Sequence, residues 1–532
     1  MKQRARIRTT LLIGLALANT PAWAAPPASR PLVACLAEGP RILNPALSPA
    51  PATRDTVGRT VYEGLTRFRP GTTTVEPGLA EGWTVSEDGK TYTFVLRPTV
   101  SFHSTARFTP TRPLEAQDVV WTLARQGKDD HPFHRVSGAT YETYTALGLG
   151  DLIERIEALD ARTVRLTLTR PWAPLPAALA MEFAGIHSAE YAQARLKAGA
   201  PEDVDRFPVG TGPYVLREAT DDTLRFDAHL GYWEGKPGLE TLVIKIVPDD
   251  SQRAQKLRAG ECHMIDAVAP ADLEPLRTTP GVALPQGPGL ALSVLAFNTE
   301  KPPFDSLAVR RILAQALDPV ALVAGPFNGR GVPLTRALPP AQWPLPEAPP
   351  PTLATSDTLK AELAALPAIG PITLWALPVR RASLPDPKAA ALWVKAAWEA
   401  LGLSVTVETL DWGDYLKRAR AGDAQALFLT WSTDTGDPDD FLSLLGCEAV
   451  GGFNVARWCH KPFDDLLRRG RQSVDPEERV WIYRDALALV RDQVPWVPLA
   501  APLLMQAHRT SVTGWTVSPF GGPSFRAVGM TP

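Results

Sequence analysis

The sequence predicts an α/β fold of mixed β-sheets flanked by helices, and three observations carry that prediction. Residues 371–441 alternate strand, helix, strand, helix, strand, an order that implies parallel pairing through right-handed crossovers. The first half of the chain interleaves hairpins with helices, a pattern of α+β or mixed α/β architecture. The length, 532 residues with 45% hydrophobic and 21% charged side chains, suits a globular chain of roughly three folding units at about 150 residues each.

Residues 1–24 carry Lys2, Arg4, Arg6 and Arg8, an apolar run at 11–18, and Ala22-Trp23-Ala24 before Ala25. This is the layout of a secretory signal peptide, so cleavage after Ala24 and export are expected. The apolar run is far shorter than the about 20 residues that span a bilayer. Cys35 follows Leu32-Val33-Ala34 as in a lipid-attachment sequence, but Arg30 and Pro31 separate it from the apolar run, so lipid anchoring is set aside. The segment 494–507 is also too short to span, and Pro495, Pro498 and Pro502 interrupt it. The full chain sets 55 basic against 57 acidic side chains, a near balance that argues against nucleic acid as a partner. Losing the four N-terminal positive charges leaves the exported chain modestly acidic.

Residues 84–96 read as two strands around a Glu87-Asp88-Gly89 turn, with Tyr92, Phe94 and Leu96 on one side; Asp-Gly between alternating runs signals a hairpin. A helix follows at 116–125, where Val119, Val120 and Leu123 recur at helical spacing, and 163–168 and 223–226 read as strands. Next, 291–298 reads as a buried strand and 307–317 as a helix with Arg310 and Arg311 on its polar side. The 53 prolines are about twice the ordinary share. Seven fall within 339–351, where neither helix nor central strand can form, so an extended surface loop serving as a connector is expected there.

Within 371–441 the strands are read at 372–377, 403–409 and 425–431, and the helices at 386–401 and 415–421, stopped by Gly402 and Gly422. Parallel sheets bind ligands beyond the carboxyl ends of their strands. Arg380 and Arg381 lie just beyond one such strand and Asp434 just beyond another, so opposite charges share an edge that would suit a zwitterion. A Gly-x-Ser-x-Gly elbow, a Gly-x-x-x-x-Gly-Lys-Ser/Thr loop and a His-Glu-x-x-His helix are absent. The eight histidines are scattered, and the one close pair, His131 and His134, has no further ligand at metal spacing. No catalytic residue, cofactor or metal is expected. Cys35, Cys262, Cys447 and Cys459 are an even set in an exported chain, which favours two disulfides; three pairings are open. The close spacing of Cys447 and Cys459 favours joining them, leaving Cys35 for Cys262.

Several segments then stand in order: Gly78-Leu79-Ala80-Glu81-Gly82-Trp83 running into Glu87-Asp88-Gly89-Lys90-Thr91-Tyr92-Thr93-Phe94; Phe108-Thr109-Pro110-Thr111-Arg112 with Asp118-Val119-Val120; Val209-Gly210-Thr211-Gly212-Pro213-Tyr214; Gly231-Tyr232-Trp233-Glu234-Gly235-Lys236-Pro237; and Val309-Arg310-Arg311. Over nearly the whole exported chain they resemble the extracellular solute-binding proteins, family 5, of bacterial oligopeptide and dipeptide ABC importers. The chain is most similar to the branch holding dipeptide-binding and Sap-type peptide-binding proteins. Ser518-Pro519-Phe520-Gly521 and Asn298-Thr299-Glu300-Lys301-Pro302-Pro303 lean towards the Sap-type member, and the four cysteines match the branch.

The resemblance implies a periplasmic-binding-protein fold (type II, cluster C) of two lobes joined by a hinge of crossing strands. It implies lobe I at 25–290 with an inserted subdomain at about 56–205, lobe II at 291–505, and a return to lobe I at 506–532. It also implies that Asp434 holds the α-amino group of a peptide and Arg381 its α-carboxylate. Arg380 replaces the usual neutral neighbour, so either arginine is a candidate for the carboxylate. Trp431 is a stacking candidate, followed by Tyr141 and Tyr144. The ligand implied is a short peptide, and the partners are an inner-membrane ABC permease and its ATPase subunits. A periplasmic monomer without enzymatic activity is expected. Haem, an antimicrobial peptide or a metal chelate on the same scaffold is the rival reading within the class. A periplasmic hydrolase, or an interaction protein with no small ligand, is the rival outside it.

Overall fold

The structure is a computed structural model and describes residues 30–138, 140–343, 345, 353–433 and 435–531. The expected signal peptide, Asp434 and most of the later half of the proline-rich stretch lie outside the described residues. No helix among the described residues is long and apolar enough to cross a membrane.

Two seven-stranded mixed sheets form the frame. In the first, Leu32–Leu36 is the middle strand, parallel to Thr241–Ile246 on one side and to Met264–Ile265 on the other. Its side chains explain that place. Leu32, Ala34 and Leu36 pack with Tyr214, Phe226 and Ile244, while Cys35 turns to a separate cluster with Leu257 and Ile265. A strand buried on both faces belongs inside a sheet. Thr223–Ala228 and Tyr214–Ala219 extend the sheet antiparallel on one flank, and Ala507–Arg509 and Val282–Ala283 close the other.

The second sheet runs in the order Gln286–Pro288, Trp496–Met505, Ala291–Phe297, Ala426–Ser432, Ile372–Ala376, Val405–Thr409, with Gly331–Pro333 also paired to Trp496–Met505. Ile372–Ala376 is parallel to both Val405–Thr409 and Ala426–Ser432, as the alternation within 371–441 predicts. The helix Pro387–Glu399 starts where Asp386 accepts a hydrogen bond from the Ala389 N–H and proline occupies the first turn. The helix Trp412–Ala421 stops at Gly422, whose φ of 82° is a left-handed cap that a side chain would resist.

The chain passes between the two sheets twice in neighbouring positions. Val282–Ala283 belongs to the first sheet and Gln286–Pro288 to the second; on the return, Trp496–Met505 belongs to the second and Ala507–Arg509 to the first. The Gln506 N–H donates to the Pro285 carbonyl at 3.1 Å and holds the two crossings together. The fold is therefore two-lobed, with crossing strands at the join. Prolines fit the long return strand because its register shifts beside Pro498, between Ser293 and Val294, where the lost donor would otherwise break the ladder.

A four-stranded antiparallel sheet, Ala80–Val85, Thr91–Leu96, Thr163–Leu168 and Ile153–Ala158, carries its own core. Tyr92, Phe94 and Leu96 face that core, as the alternation requires, and the helix Ala116–Gly127 packs Val119 and Leu123 into it. In the hairpin turn the Asp88 carboxylate accepts from Ser86 Oγ at 2.5 Å and from the Lys90 N–H at 3.1 Å.

Two expectations change. Arg310 is buried rather than on a polar face, because its guanidinium donates to the carbonyls of Phe304, at 2.7 Å, and Gln493, at 2.9 Å. The start of the 339–351 stretch is also no surface loop. Leu338 and Leu345 enter the core of the second sheet, and Gln342 is 1% exposed.

Candidate functional site

Parallel pairing of Ile372–Ala376 with Ala426–Ser432 brings the segments that follow them to one edge of the second sheet. Arg380 and Arg381 are both exposed there. The Arg381 guanidinium lies 5.4 Å from the Trp412 ring and donates to the Arg380 carbonyl at 3.3 Å. Neither arginine has an ion pair among the described residues. Trp431, near the end of its strand, is half-buried and meets Phe453 edge to face at 4.9 Å. Asp434 follows it outside the described residues.

The chain on either side of that position is braced from within. Thr433 and Thr435 both donate their hydroxyls to Asp440, and Thr433 Oγ1 accepts from the Gly436 N–H at 3.3 Å. Burial pushes the Asp440 carboxyl up to about 7, with the two hydroxyl bonds opposing the rise. Asp437 is gripped by Arg479 through two bonds of 2.8 and 2.9 Å, and Asp439 by Arg471 at 2.8 Å. The Arg479–Asp437 pair is fork to fork and fixes direction as well as charge, while Arg471 meets both Asp439 oxygens through Nε alone. The acid-rich run Asp437-Pro438-Asp439-Asp440 was visible in the sequence. Its arginine partners, 42 and 32 residues on, were not.

Across from this loop, Phe68 and Phe520 pack with ring centroids 4.4 Å apart and their planes tilted by 35°, and Thr73 lies against Gly436 and donates to the Ala341 carbonyl at 3.2 Å. Behind the two rings is a cavity of about 140 Å³ lined in part by Arg59, Glu63, Arg67 and Glu182. Arg59 reaches Glu182 at 2.7 Å and the Gly521 carbonyl at 2.6 Å; Arg67 reaches Glu76 at 2.7 Å and Glu234 at 2.8 Å. Glu63 accepts from Tyr232 at 2.8 Å, Thr211 at 2.9 Å and Trp233 at 3.0 Å. Burial nevertheless pushes its carboxyl up to about 7.

Tyr141 and Tyr144 do not join the site. Both are buried in the core of the four-stranded sheet, and the Tyr141 hydroxyl accepts from Arg125 at 3.0 Å and donates to the His134 carbonyl at 3.1 Å. The cysteines stand as two disulfides, Cys35 with Cys262 and Cys447 with Cys459. Asp464 lies near the second pair, the one grouping of metal-ligand types among the described residues, but its two sulfurs are bonded to each other.

Two mixed α/β lobes, joined by crossing strands and facing each other across loops rich in charge, define a solute-binding protein of the bilobal class. The chain belongs to the bacterial extracellular solute-binding proteins, family 5, whose model matches residues 74–452. It is 39% identical to the dipeptide-binding protein of Escherichia coli over 507 residues, covering 94% of this chain and 95% of that protein. It is 40% identical to heme-binding protein A of Haemophilus influenzae over 510 residues, covering 94% and 92%. The structure of HbpA2 from Haemophilus parasuis superposes with a TM-score of 0.91 at 36% identity, covering 94% of this chain and all of that one.

Proposed function

We propose that this chain is the periplasmic substrate-binding component of an ABC importer that captures short peptides by their charged ends and hands them to the permease. The name of the Escherichia coli relative supports a peptide ligand. The observation that carries the reading is the shared edge: Arg380 and Arg381, exposed and without an ion pair among the described residues, follow one strand, and the loop whose acids Asp437, Asp439 and Asp440 are already engaged follows the strand parallel to it. In this reading Asp434 takes the ligand ammonium, Arg381 or Arg380 its carboxylate, and Trp431 lies along its side. Two extended residues reach only about 7 Å, so the span between these anchors sets ligand length.

The lobes are assigned as 25–290, with a subdomain at about 56–205, and 291–505, with 506–532 returning to the first. Export follows cleavage after Ala24, and the protein acts as a monomer that binds its ligand without turning it over. Mass spectrometry of an incubated peptide separates this from hydrolysis: the peptide is recovered intact. Haem on the same scaffold is the second reading, favoured by the name of the Haemophilus influenzae relative.

The test is calorimetry on Asp434→Ala. Removing one partner of a desolvated charge pair is expected to weaken peptide binding at least about 30-fold, equivalent to about 2 kcal/mol, with the melting temperature unchanged. Unchanged affinity contradicts the assignment.

A further inference from the structure

The helix Lys461–Gln472 packs Phe463 and Leu467 into the core of the second sheet and ends against the four-stranded subdomain. The last carbonyls of a helix have no partner within it. Here the Arg469 carbonyl accepts from the Ser473 N–H at 2.9 Å and the Gly470 carbonyl from Arg479 Nε at 2.8 Å. The Arg471 carbonyl accepts from the Ala173 N–H at 2.8 Å, and Ala173 belongs to the segment that leaves the strand Thr163–Leu168 of the subdomain. Gly89, in the hairpin turn of the same subdomain, lies so close that a Cβ there would stand 3.4 Å from the Gln472 carbonyl. One end of a helix in one lobe is thus capped by the backbone of the other.

The same helix end also holds the ligand loop. Arg471 bonds Asp439 through its guanidinium while its carbonyl accepts from Ala173, and Arg479 bonds both the Gly470 carbonyl and Asp437. We propose that Arg471 is a positioning residue that couples docking of the subdomain to the placement of the 437–440 segment in a single cooperative event. Arg471 and Ala173 touch no ligand in this account. Their effect is a coupling free energy, and coupling is reciprocal: whatever ligand engages the loop strengthens the cap, and the cap strengthens ligand binding. The ligand half of this proposal rests on the peptide-binding reading; the cap does not.

Two variants separate the parts. Ala173→Pro deletes the donor across the cleft and leaves the loop untouched, while Arg471→Gln deletes the grip on Asp439 and keeps the carbonyl. Each is expected to weaken peptide binding about 5- to 10-fold. Because the two act through one event, the double variant is expected to be no weaker than about 10-fold, and Arg471→Lys to recover part of the loss. Additive losses in the double variant, or unchanged affinity in both singles, overturn the proposal.

A second measurement needs no proline and no ligand. Pro171 and Pro174 flank Trp172 and Ala173, so a fragment covering them has few amides, and hydrogen exchange resolves the Ala173 N–H. In the ligand-free protein this amide is expected to exchange at least about tenfold faster in Arg471→Gln than in the wild type; equal rates overturn the proposal even if Ala173→Pro does not fold. A wild type that binds no peptide while showing that tenfold difference contradicts the ligand assignment and leaves the cap standing.

Discussion

Glu63 shows how a single buried side chain ties stability to pH. Its carboxyl is walled in with three donors, and burial still lifts it from 4.5 to about 7. The folded protein therefore keeps the proton at pH values where the unfolded chain has released it. The stabilisation this gives is complete below about 4.5 and is lost as the pH rises through about 7. Chemical unfolding at pH 5 and pH 8 is expected to show the wild type losing stability relative to Glu63→Gln as the pH rises; a constant gap contradicts it. Gln342 makes a second case, since it is 1% exposed and neither amide atom has a partner among the described residues. Unpaired buried polar groups cost about 1–3 kcal/mol. Gln342→Met is therefore expected to raise stability by about 1 kcal/mol, and a lower melting temperature contradicts the unpaired state. Such residues are where sequence reading is weakest. Arg310 falls on a polar helical face by spacing, yet carbonyls from Phe304 and from Gln493, 183 residues away, draw it inside.

Elements were far more legible, because their periodicity is local. The alternation of Tyr92, Phe94 and Leu96 and the stop at Gly422 act within a few residues, and the strand and the helix end formed where they pointed; the helix read from Asp386 begins one residue later, with Asp386 as its cap. The brace around the loop after Ala426–Ser432 was not legible, since Asp437 and Asp439 reveal nothing of Arg479 and Arg471 until the helices Lys461–Gln472 and Pro476–Gln493 fold against them. The disulfides work at the same scale. In the chain-entropy account, closing the short loop between Cys447 and Cys459, 12 residues apart, contributes about 3 kcal/mol, while the link between Cys35 and Cys262, 227 apart, contributes about 5 kcal/mol. Replacing each pair by serine is expected to lower the unfolding free energy in that order, read by denaturant titration. A larger loss at 447 and 459 contradicts the ranking.

At the scale of the molecule, the crossings near 285 and 506 and the cap at Arg471 are the features that join two lobes around a cleft. The sequence motifs located the family and the two-lobed plan, whereas the contacts that bind one lobe to the other join residues hundreds of positions apart, such as Thr73 with Ala341 and Ala173 with Arg471. The edge carrying Arg380, Arg381 and the loop of Asp434 lies where parallel strands end, as the βαβαβ order requires. Charged ends held by charged side chains make a demand that side-chain pockets alone do not: both termini must be free. Calorimetric titration of one short peptide in three forms, with free ends, N-acetylated, and C-amidated, measures that demand directly. The account predicts tight binding of the free peptide and a loss of at least about 30-fold for each blocked form. Equal binding of all three, or binding of none, contradicts it.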